Sequence, residues 1–420
     1  MNLENNCLIL NLWSCTNYGA SLTCWGVQCL VEKLGYSAQI INYKPKIGLV
    51  HENSFSEKFA KEYLNLTEPI KNYNDFISLN KIANNFIVGS DQVWNAGIMR
   101  SHHSGVSENI YLLDFVQNNK RKISYAASFG KSDFLNSKLN IDYKETFKYF
   151  IKQFDSISVR EDDGINILNQ VFDTNATQLI DGAFHIPIEK LNDMTKNYAS
   201  SERYIGCYAL PYFSKQQWYE NILTEISQKT GLPIRKMVFN PNTSMEEWLA
   251  FIKNSQFIIT DSYHAVVLSI IFNKPFVQIK NAQTQSRFES LFRLLQIENN
   301  SIGQNEDYDI DKILAPKNWT KINEIINFEK IKAEHWLKTA LKQNKEPNNY
   351  NNYINLMISN FSMEKQSTKR KLSLLANKEK FLARYRRAKI LSKICIGQAR
   401  QKYKKEKSYY KSLVKEIRQM

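Results

Sequence analysis

The sequence lacks the paired cysteines that mark metal sites and disulfide-stapled domains. None of its six cysteines belongs to a CxxC pair or a Cys/His metal spacing; they stand at positions 7, 15, 24, 29, 207 and 395. A chain of 420 residues is also far larger than the small secreted domains that disulfides hold together. We therefore expect reduced thiols.

Long apolar runs are absent as well. No stretch approaches the roughly 18 consecutive apolar residues that a membrane-spanning helix needs. The N-terminal segment Met1–Glu4 has no basic residue, and the apolar run Cys7–Trp13 is about half as long as the apolar region and cleavage site of a signal peptide. The expected location is the cytoplasm.

Most of the chain has no net charge. Residues 361–420 carry 19 Lys and Arg against 4 Asp and Glu, which accounts for the formal net charge of +15. A neutral body with a basic tail argues against nucleic-acid binding spread over the fold, and it places any anionic partner at the C-terminus.

The length and the 43% apolar content predict two globular domains. Short apolar runs alternate with helical periodicity through the first 300 residues, which is typical of parallel sheets covered by helices. We predict an α/β fold with two Rossmann-like domains facing across a cleft. The predicted parts are an N-terminal domain (1–190, acceptor side), a C-terminal domain (200–340, donor side), a linker (341–360) and a basic helical tail (361–420).

The predicted strands follow the short apolar runs. In the first half they are 7–13, 37–43, 85–89, 122–129, 156–159 and 177–180. In the second half they are 204–209, 234–239, 256–260 and 276–279. The predicted helices are 21–34, 142–153, 162–171, 215–230, 244–254 and 264–272.

Polar side chains follow several of these strands. The first strand runs into the turn 16–20 before a helix, and a later strand ends abruptly in Gly89–Asn95, which contains Ser90, Asp91 and Gln92. Ligands bind at the carboxyl ends of parallel strands. A helix cap alone would not require Gln, Trp and Asn together, so this second turn favours a binding site.

Two further strand ends carry ionisable groups. Arg160 leaves a strand just before a helix and can grip a carboxylate or phosphate, although an ion pair with Glu161 or Asp181 explains it nearly as well. His264 lies in the first turn of a helix next to Asp261, and histidine is the side chain best suited to proton transfer near neutral pH.

Taken in order, these motifs resemble the polysaccharide pyruvyl transferase family over roughly residues 7–300. The segments that carry the resemblance are 17–20, 89–95, 124–130, 158–161, 260–264 and 273–275. The resemblance implies a GT-B-like fold and transfer of an enolpyruvyl unit from phosphoenolpyruvate to two hydroxyls of a sugar, with release of phosphate. It implies no metal and no cofactor beyond the donor substrate.

This sequence departs from the family at one motif. Characterised members often carry an Arg before the histidine, whereas Asp261-Ser262-Tyr263-His264 has none. We expect Arg287 to replace that cation, with Lys274 behind it.

The resemblance and the chemistry together predict the site residues. His264 is the expected acid/base, with Asp261 or Asp91 as its carboxylate partner or as the base for the sugar hydroxyl. The predicted donor-binding residues are Arg160, Arg287, Ser262 and Lys274. The predicted acceptor-binding residues are Asn17, Tyr18, Gly19, Ser90, Gln92 and Asn95.

Two other functions stay open at this point. A glycosyltransferase that uses a nucleotide sugar would place polar strand ends in a similar cleft. An adaptor that binds a membrane surface or nucleic acid through its tail would leave the body inert, although the neutral body and the polar strand ends count against it.

The tail has a helical pattern of its own. From residue 374 apolar side chains recur at spacings of three, four or seven, while basic residues occupy the other faces. Such a helix, within residues 374–415, can lie in the interface of an anionic membrane. The alternative is that its apolar stripe packs on the enzyme body or on a second subunit of a homo-oligomer. Membrane docking would suit an acceptor sugar carried on a polyprenyl diphosphate.

Overall fold

The computed structural model of the chain covers nearly all of the first 343 residues. It describes residues 3–45, 54–101, 106–107, 109–130, 141–209, 216–238, 240, 242–281, 285–297 and 300–343, with single positions beyond 388. Residues Met1–Glu346 form one compact unit and Pro347–Met420 a second. Both sheets described below lie in the first unit.

The first sheet has six parallel strands in the order β2-β1-β3-β4-β5-β6. Its strands are β1 (Asn6–Leu10), β2 (Ser37–Ile40), β3 (Asn85–Val88), β4 (Arg121–Ala127), β5 (Ser156–Val159) and β6 (Thr177–Gln178). All four residues of β3 are buried, as expected for a central strand covered on both faces. In register, Ile9 of β1 pairs with Ile40 of β2 and with Ile87 of β3.

The second sheet has five parallel strands in the order β11-β10-β9-β7-β8. Its strands are β7 (Ile205–Tyr208), β8 (Ile234–Met237), β9 (Phe257–Thr260), β10 (Phe276–Ile279) and β11 (Ser301–Ile302). The predicted α/β fold with two Rossmann-like sheets is confirmed.

Each sheet reverses its strand order once. The first sheet grows outward on either side of the β1/β3 pair, and the second on either side of the β7/β9 pair. At such a switch point the following helices leave on opposite faces, which opens a crevice at the carboxyl ends of the strands. The segment after β3 starts at Gly89 and the segment after β9 at Asp261, so two of the predicted polar turns lie at the two switch points.

Thirteen α-helices lie in the described part of the chain. Those of the first half are α1 (Tyr18–Lys33), α2 (Phe55–Tyr63), α3 (Tyr73–Ser78), α4 (Ala96–Ser101), α5 (Ile141–Ile151), α6 (Asp162–Phe172) and α7 (Ile188–Thr195). Those of the second half are α8 (Gln217–Thr230), α9 (Met245–Asn254), α10 (Tyr263–Ile271), α11 (Gln285–Leu295), α12 (Ile310–Leu314) and α13 (Trp319–Lys342).

Helix caps place the helices that matter for the site. The Asn17 side chain accepts from the Gly19 N–H at the start of α1, and the Ser262 side chain accepts from the Ala265 N–H at the start of α10. Each cap satisfies one of the N–H groups that a helix start leaves without a partner, which fixes where the helix begins.

One hydrophobic core joins the two sheets. It includes Trp13 and Val27 from the first half and Trp248 and Ile258 from the second, all buried. Large aromatic side chains bury more apolar area than any others, so these contacts contribute strongly to holding the halves together.

Helix α13 adds to the joint between the halves. Lys33 of α1 forms an ion pair of 2.6 Å with Glu334 of α13, and the Arg121 Nε donates to the Gln343 carbonyl at 2.8 Å. The last helix of the compact unit therefore contacts the first sheet although it follows the second in sequence. The predicted domain boundaries stay predictions.

The predicted linker and tail fall mostly outside the described residues. Beyond residue 343 the structure describes only residues 389, 401, 404–405, 407–408 and 410–411, all helical. In the described part of the chain, no helix is long and apolar enough to cross a membrane.

Candidate active site

The start of α1 meets the start of α10. A Cβ added to Gly19 would lie 2.0 Å from the Nδ1 of His264, so only glycine lets the two helix ends approach this closely. Asn17, by contrast, is exposed. The predicted residues Gly19 and His264 are thus brought together from opposite halves of the chain, and Asn17 lies two residues before Gly19.

Tyr18 bridges the halves. Its hydroxyl lies 3.0 Å from the carbonyl oxygens of both Asn240 and Thr243, and its ring is buried against Phe55 and Trp248. A hydroxyl that already has partners and a covered ring leave little for a ligand to touch. The Tyr18 side chain therefore holds the two halves of the chain together, next to the candidate site, and does not line the part that a ligand could enter.

The turn after β3 has a buried part and a half-buried part. Ser90 is fully buried, and its hydroxyl lies 3.1 Å from the Ala126 carbonyl and 3.4 Å from Asp181 Oδ2. Gln92 and Asn95 are half-buried, and their amides bond each other at 2.9 Å. Of this turn, the two amides are the groups a ligand could reach.

Arg160 is surrounded by carboxylates. Its Nε donates to Glu161 at 2.8 Å, and its Nη1 donates to Asp181 at 2.8 Å and lies 3.4 Å from Asp91. The side chain is only 2% exposed.

Burial alone would lower the pKa of Arg160, but Glu161 and the other carboxylates raise it well above its usual value. Its remaining nitrogen, Nη2, has no hydrogen-bond partner in the described part of the chain. The structure thus contains the ion pairs with Glu161 and Asp181, and the binding of an anionic ligand by Arg160 stays a prediction.

Asp181 is the centre of this cluster. One carboxylate oxygen accepts from the Thr23 hydroxyl and the Ala183 N–H, both at 2.9 Å, while the other accepts from Arg160. Burial alone would raise the pKa of Asp181, but the neighbouring His264 and the charge of Arg160 hold it well below its usual range. The carboxylate is therefore ionised at any physiological pH.

His264 faces this carboxylate. Its Nε2 lies 3.8 Å from Asp181 Oδ2, too long for a hydrogen bond but close enough for strong electrostatic attraction. The ring is 3% exposed, and Nε2 has no hydrogen-bond partner in the described residues. The carboxylate next to His264 is thus Asp181, whereas the sequence pointed to Asp261 or Asp91.

Both of those aspartates remain close by in the fold. Asp91 contacts Arg160, and Asp261 is buried directly before the Ser262 cap of α10. Asp181 follows β6 just as the other site residues follow their strands, and this position is the signal that would have identified it.

Arg287 supplies a second buried cation. It lies in the first turn of α11, is 8% exposed and forms no ion pair within the described residues. Its Nε has no hydrogen-bond partner there either. Burial and the nearby charge of Arg160 lower its pKa.

The ring of Tyr263 joins the two arginines. The guanidinium carbon of Arg160 lies 4.4 Å from the ring centre and that of Arg287 lies 5.6 Å from it. Cation–π attraction to one ring offsets part of the repulsion between two like charges. Two buried guanidinium groups, each with an N–H that has no partner among the described residues, thus lie against the ring of Tyr263, the residue before the acid/base candidate. Such a pair is suited to an anion with two charged ends.

Lys274 lies elsewhere. It lies two residues before β10, at the amino end of the strand, whereas Arg287 follows the carboxyl end of the same strand. Burial, and then the charge of Lys253 at the end of α9, lower the pKa of Lys274. The structure does not bring Lys274 to the cluster around His264.

A metal centre has no obvious place among the described residues, where no group of three or more His, Cys, Asp or Glu side chains could hold an ion. The five cysteines in the described part of the chain are buried and unpaired.

Solved structures that resemble the chain include UDP-N-acetylglucosamine 2-epimerases and a glycosyltransferase. A UDP-N-acetylglucosamine 2-epimerase is 10% identical, with a TM-score of 0.49 over 83% of this chain and 100% of that chain. The UDP-GlcNAc 2-epimerase from Neisseria meningitidis is 11% identical, with a TM-score of 0.42 over 81% and 95%. The calicheamicin glycosyltransferase is 8% identical, with a TM-score of 0.43 over 81% and 97%. Likeness at this level carries no argument about activity.

The family is shown by sequence. No curated protein matches the chain. The sequence profile described as polysaccharide pyruvyl transferase matches residues 17–282, which is more than half of the chain and includes every predicted site residue except Arg287. The chain belongs to the polysaccharide pyruvyl transferase family.

Proposed function

We propose that this protein transfers an enolpyruvyl unit from phosphoenolpyruvate to two hydroxyls of a sugar, forming a cyclic ketal in surface polysaccharide biosynthesis. The observation that carries the proposal is the pair of buried arginines, Arg160 and Arg287: each has an N–H without a partner among the described residues, and both lie against the ring of Tyr263, the residue before His264. Phosphoenolpyruvate has a phosphate and a carboxylate, so it offers one anionic group to each guanidinium.

The reaction requires four proton movements, two onto parts of the donor and two off the sugar hydroxyls. The methylene carbon of the donor takes up a proton, and the resulting oxocarbenium carbon is attacked by the first sugar hydroxyl, which loses its proton. Phosphate then leaves that carbon with its bridging oxygen and one proton. The second hydroxyl attacks the new oxocarbenium and loses its own proton, which completes the ketal.

His264 is the proposed proton donor to the methylene carbon. A positive charge on its ring is stabilised by the Asp181 carboxylate 3.8 Å away, which stays ionised because of its lowered pKa. Asp181 is a positioning residue in this scheme, and Asp91 or Asp261 takes the proton from a sugar hydroxyl. Gln92 and Asn95 would hold the acceptor through their half-buried amides.

The decisive experiment is incubation of the full chain with phosphoenolpyruvate and a panel of lipid-linked sugars. We expect phosphate release together with a mass gain of one pyruvyl ketal on one sugar. Release of a nucleoside diphosphate from a nucleotide sugar, with no consumption of phosphoenolpyruvate, would instead assign a glycosyltransferase. Absence of both reactions would leave the adaptor function.

We also propose that the enzyme works at the inner face of the plasma membrane, held there by the basic tail within residues 374–415. A lipid-linked acceptor and a membrane-bound enzyme share one surface, which raises their effective concentration. Co-sedimentation with anionic liposomes should be strong at low salt and weak at high salt for the full chain, and weak for a chain ending at Asn360. Equal partitioning of the two chains would exclude this role for the tail.

A further inference from the structure

A groove about 420 Å³ in volume lies between the two halves, next to α1. Its walls come from α2 and residues 193–198 on one side and from residues 242–246, at the start of α9, on the other. This volume is within the range of small-molecule binding sites. Its wall residues are all described, and none of them was among the predicted site residues.

The groove connects to the reaction centre through Tyr18. The ring of Phe55, which lines the groove, lies 4.2 Å from the Tyr18 ring, and the Thr243 carbonyl that Tyr18 contacts also lines it. The next residue, Gly19, abuts His264. The lining of the groove is therefore linked to His264 through Phe55, Tyr18 and Gly19.

The charge of the groove excludes an anionic occupant. Its lining contains the three acids Glu62, Asp193 and Glu246 against the two lysines Lys58 and Lys196. Lys196 is already paired with Asp193 at 2.7 Å, which leaves the rest of the lining with more acid than base. Phosphoenolpyruvate and a lipid diphosphate would be repelled here, whereas a neutral polyhydroxyl compound would not.

The surface chemistry of the groove suits a sugar. Phe55 and Phe59 form a floor that is almost fully buried, and the exposed ring of Tyr198 offers an aromatic face that a ligand can contact. The Glu246 carboxylate, which accepts from the Tyr63 hydroxyl at 3.4 Å, has remaining capacity for hydroxyl donors. Aromatic faces beside a few polar groups bind the apolar face and the hydroxyls of a pyranose together.

We propose that this groove binds a neutral sugar unit of the acceptor glycan, next to the sugar that receives the pyruvyl group. The assignment of this sugar to the acceptor substrate rests on the proposed function. The class of ligand, a neutral sugar, rests on the groove itself. It assigns the acceptor side of the enzyme to a surface built from both halves of the chain.

The test measures sugar binding separately from catalysis. Saturation-transfer NMR with the full chain and a panel of neutral methyl glycosides and disaccharides should show binding of at least one. Tyr198→Ala and Glu246→Gln should each weaken that binding about threefold to tenfold, the scale of one lost stacking or hydrogen-bond contact. Tyr308→Ala is the matched control, because this tyrosine is 37% exposed against 41% for Tyr198 and lies outside the groove.

Two outcomes would overturn the proposal. One is that no neutral sugar binds the wild-type chain at millimolar concentration. The other is that the Tyr198 and Glu246 variants bind sugar as the wild type does. Phosphoenolpyruvate binding, measured on the same samples, should be equal in all variants. If it were absent throughout while groove-dependent sugar binding persisted, the proposed donor would fail and the groove would stand.

Discussion

The carboxyl ends of the two sheets carry different kinds of charge. After the first sheet, Arg160 forms ion pairs with Asp181, Asp91 and Glu161 in a buried network. After the second sheet, Arg287 and His264 are equally buried, yet each has a nitrogen without a partner among the described residues. The first side is an assembled electrostatic frame, although Arg160 Nη2 also has no partner among the described residues, and most of the groups that a substrate would complete lie on the second side.

The difference between the two sides is clearest in the pKa values of the two arginines. The pKa of Arg160 is raised by its carboxylates, whereas that of Arg287 is lowered by burial and by Arg160. A buried cation that lacks a partner costs stability in the empty protein. Such a cost is expected at a site whose missing partner is an anionic ligand.

The largest expected effect is a difference in the free energy of unfolding between variants of the two arginines. Arg160→Met leaves three buried carboxylates without their cation, so we expect the free energy of unfolding to fall by about 3 to 5 kcal/mol. Arg287→Met removes an unpaired charge and should leave the free energy of unfolding unchanged or higher. Urea unfolding of both variants and the wild type measures the difference. Equal destabilisation by the two substitutions would contradict the distinction between frame and open site.

The next effect concerns the reactive group on the open side. His264→Gln should lower turnover by about a hundredfold or more, the usual scale of general acid/base catalysis, with phosphoenolpyruvate affinity largely kept. His335→Gln is the control, since His335 is an exposed histidine on α13. Near-normal turnover of the His264 variant would remove it from the role of proton donor.

Donor affinity gives the third test. A charge-assisted contact contributes about 1.5 to 3 kcal/mol, so Arg287→Met should weaken phosphoenolpyruvate binding by about tenfold to a hundredfold. Isothermal titration calorimetry measures this without turnover. Arg293→Met is the matched control, because Arg293 lies on the same helix, paired on the surface with Asp162. A change confined to acceptor affinity would move Arg287 to the sugar side.

The smallest expected effect is a change in the pH dependence of stability, and it comes from His185, a buried histidine of the first half. His185 lies 2.6 Å from the Tyr125 hydroxyl, and burial, with the charges of Lys330 and Lys33, lowers its pKa to about 3. The unfolded chain binds a proton there below about pH 6.5 and the folded chain does not, so stability must fall as the pH falls.

His185→Gln isolates this contribution. Between about pH 6 and pH 4.5, above the unfolded-state pKa of aspartate, His185 should contribute a slope of about 1.4 kcal/mol per pH unit at most. Urea unfolding at several pH values should therefore give a shallower dependence for the variant than for the wild type. Identical slopes would show that His185 is protonated in the folded protein.

The sequence alone determined the elements and their polar ends. The predicted strands 156–159 and 276–279 coincide with β5 and β10, because buried parallel strands are short apolar runs bounded by polar residues. The same local pattern placed Arg160 and His264 at strand ends. Helices α2, α3, α4, α7, α12 and α13 were not predicted, since they bury narrow faces that only their neighbours define.

Only the tertiary structure decided which of those polar ends meet. Asp181 follows β6 of the first sheet, whereas His264 starts α10 at the switch point of the second sheet, and packing of the two sheets makes them neighbours. No local sequence pattern encodes a contact across 83 positions. Tyr18 became a joint and Lys274 was left at the far end of its strand for the same reason. The spacing of apolar residues and the polarity of a turn depend on residues that are neighbours in sequence. A functional site depends on packing, because burial and charge pairing are set by side chains from distant parts of the chain.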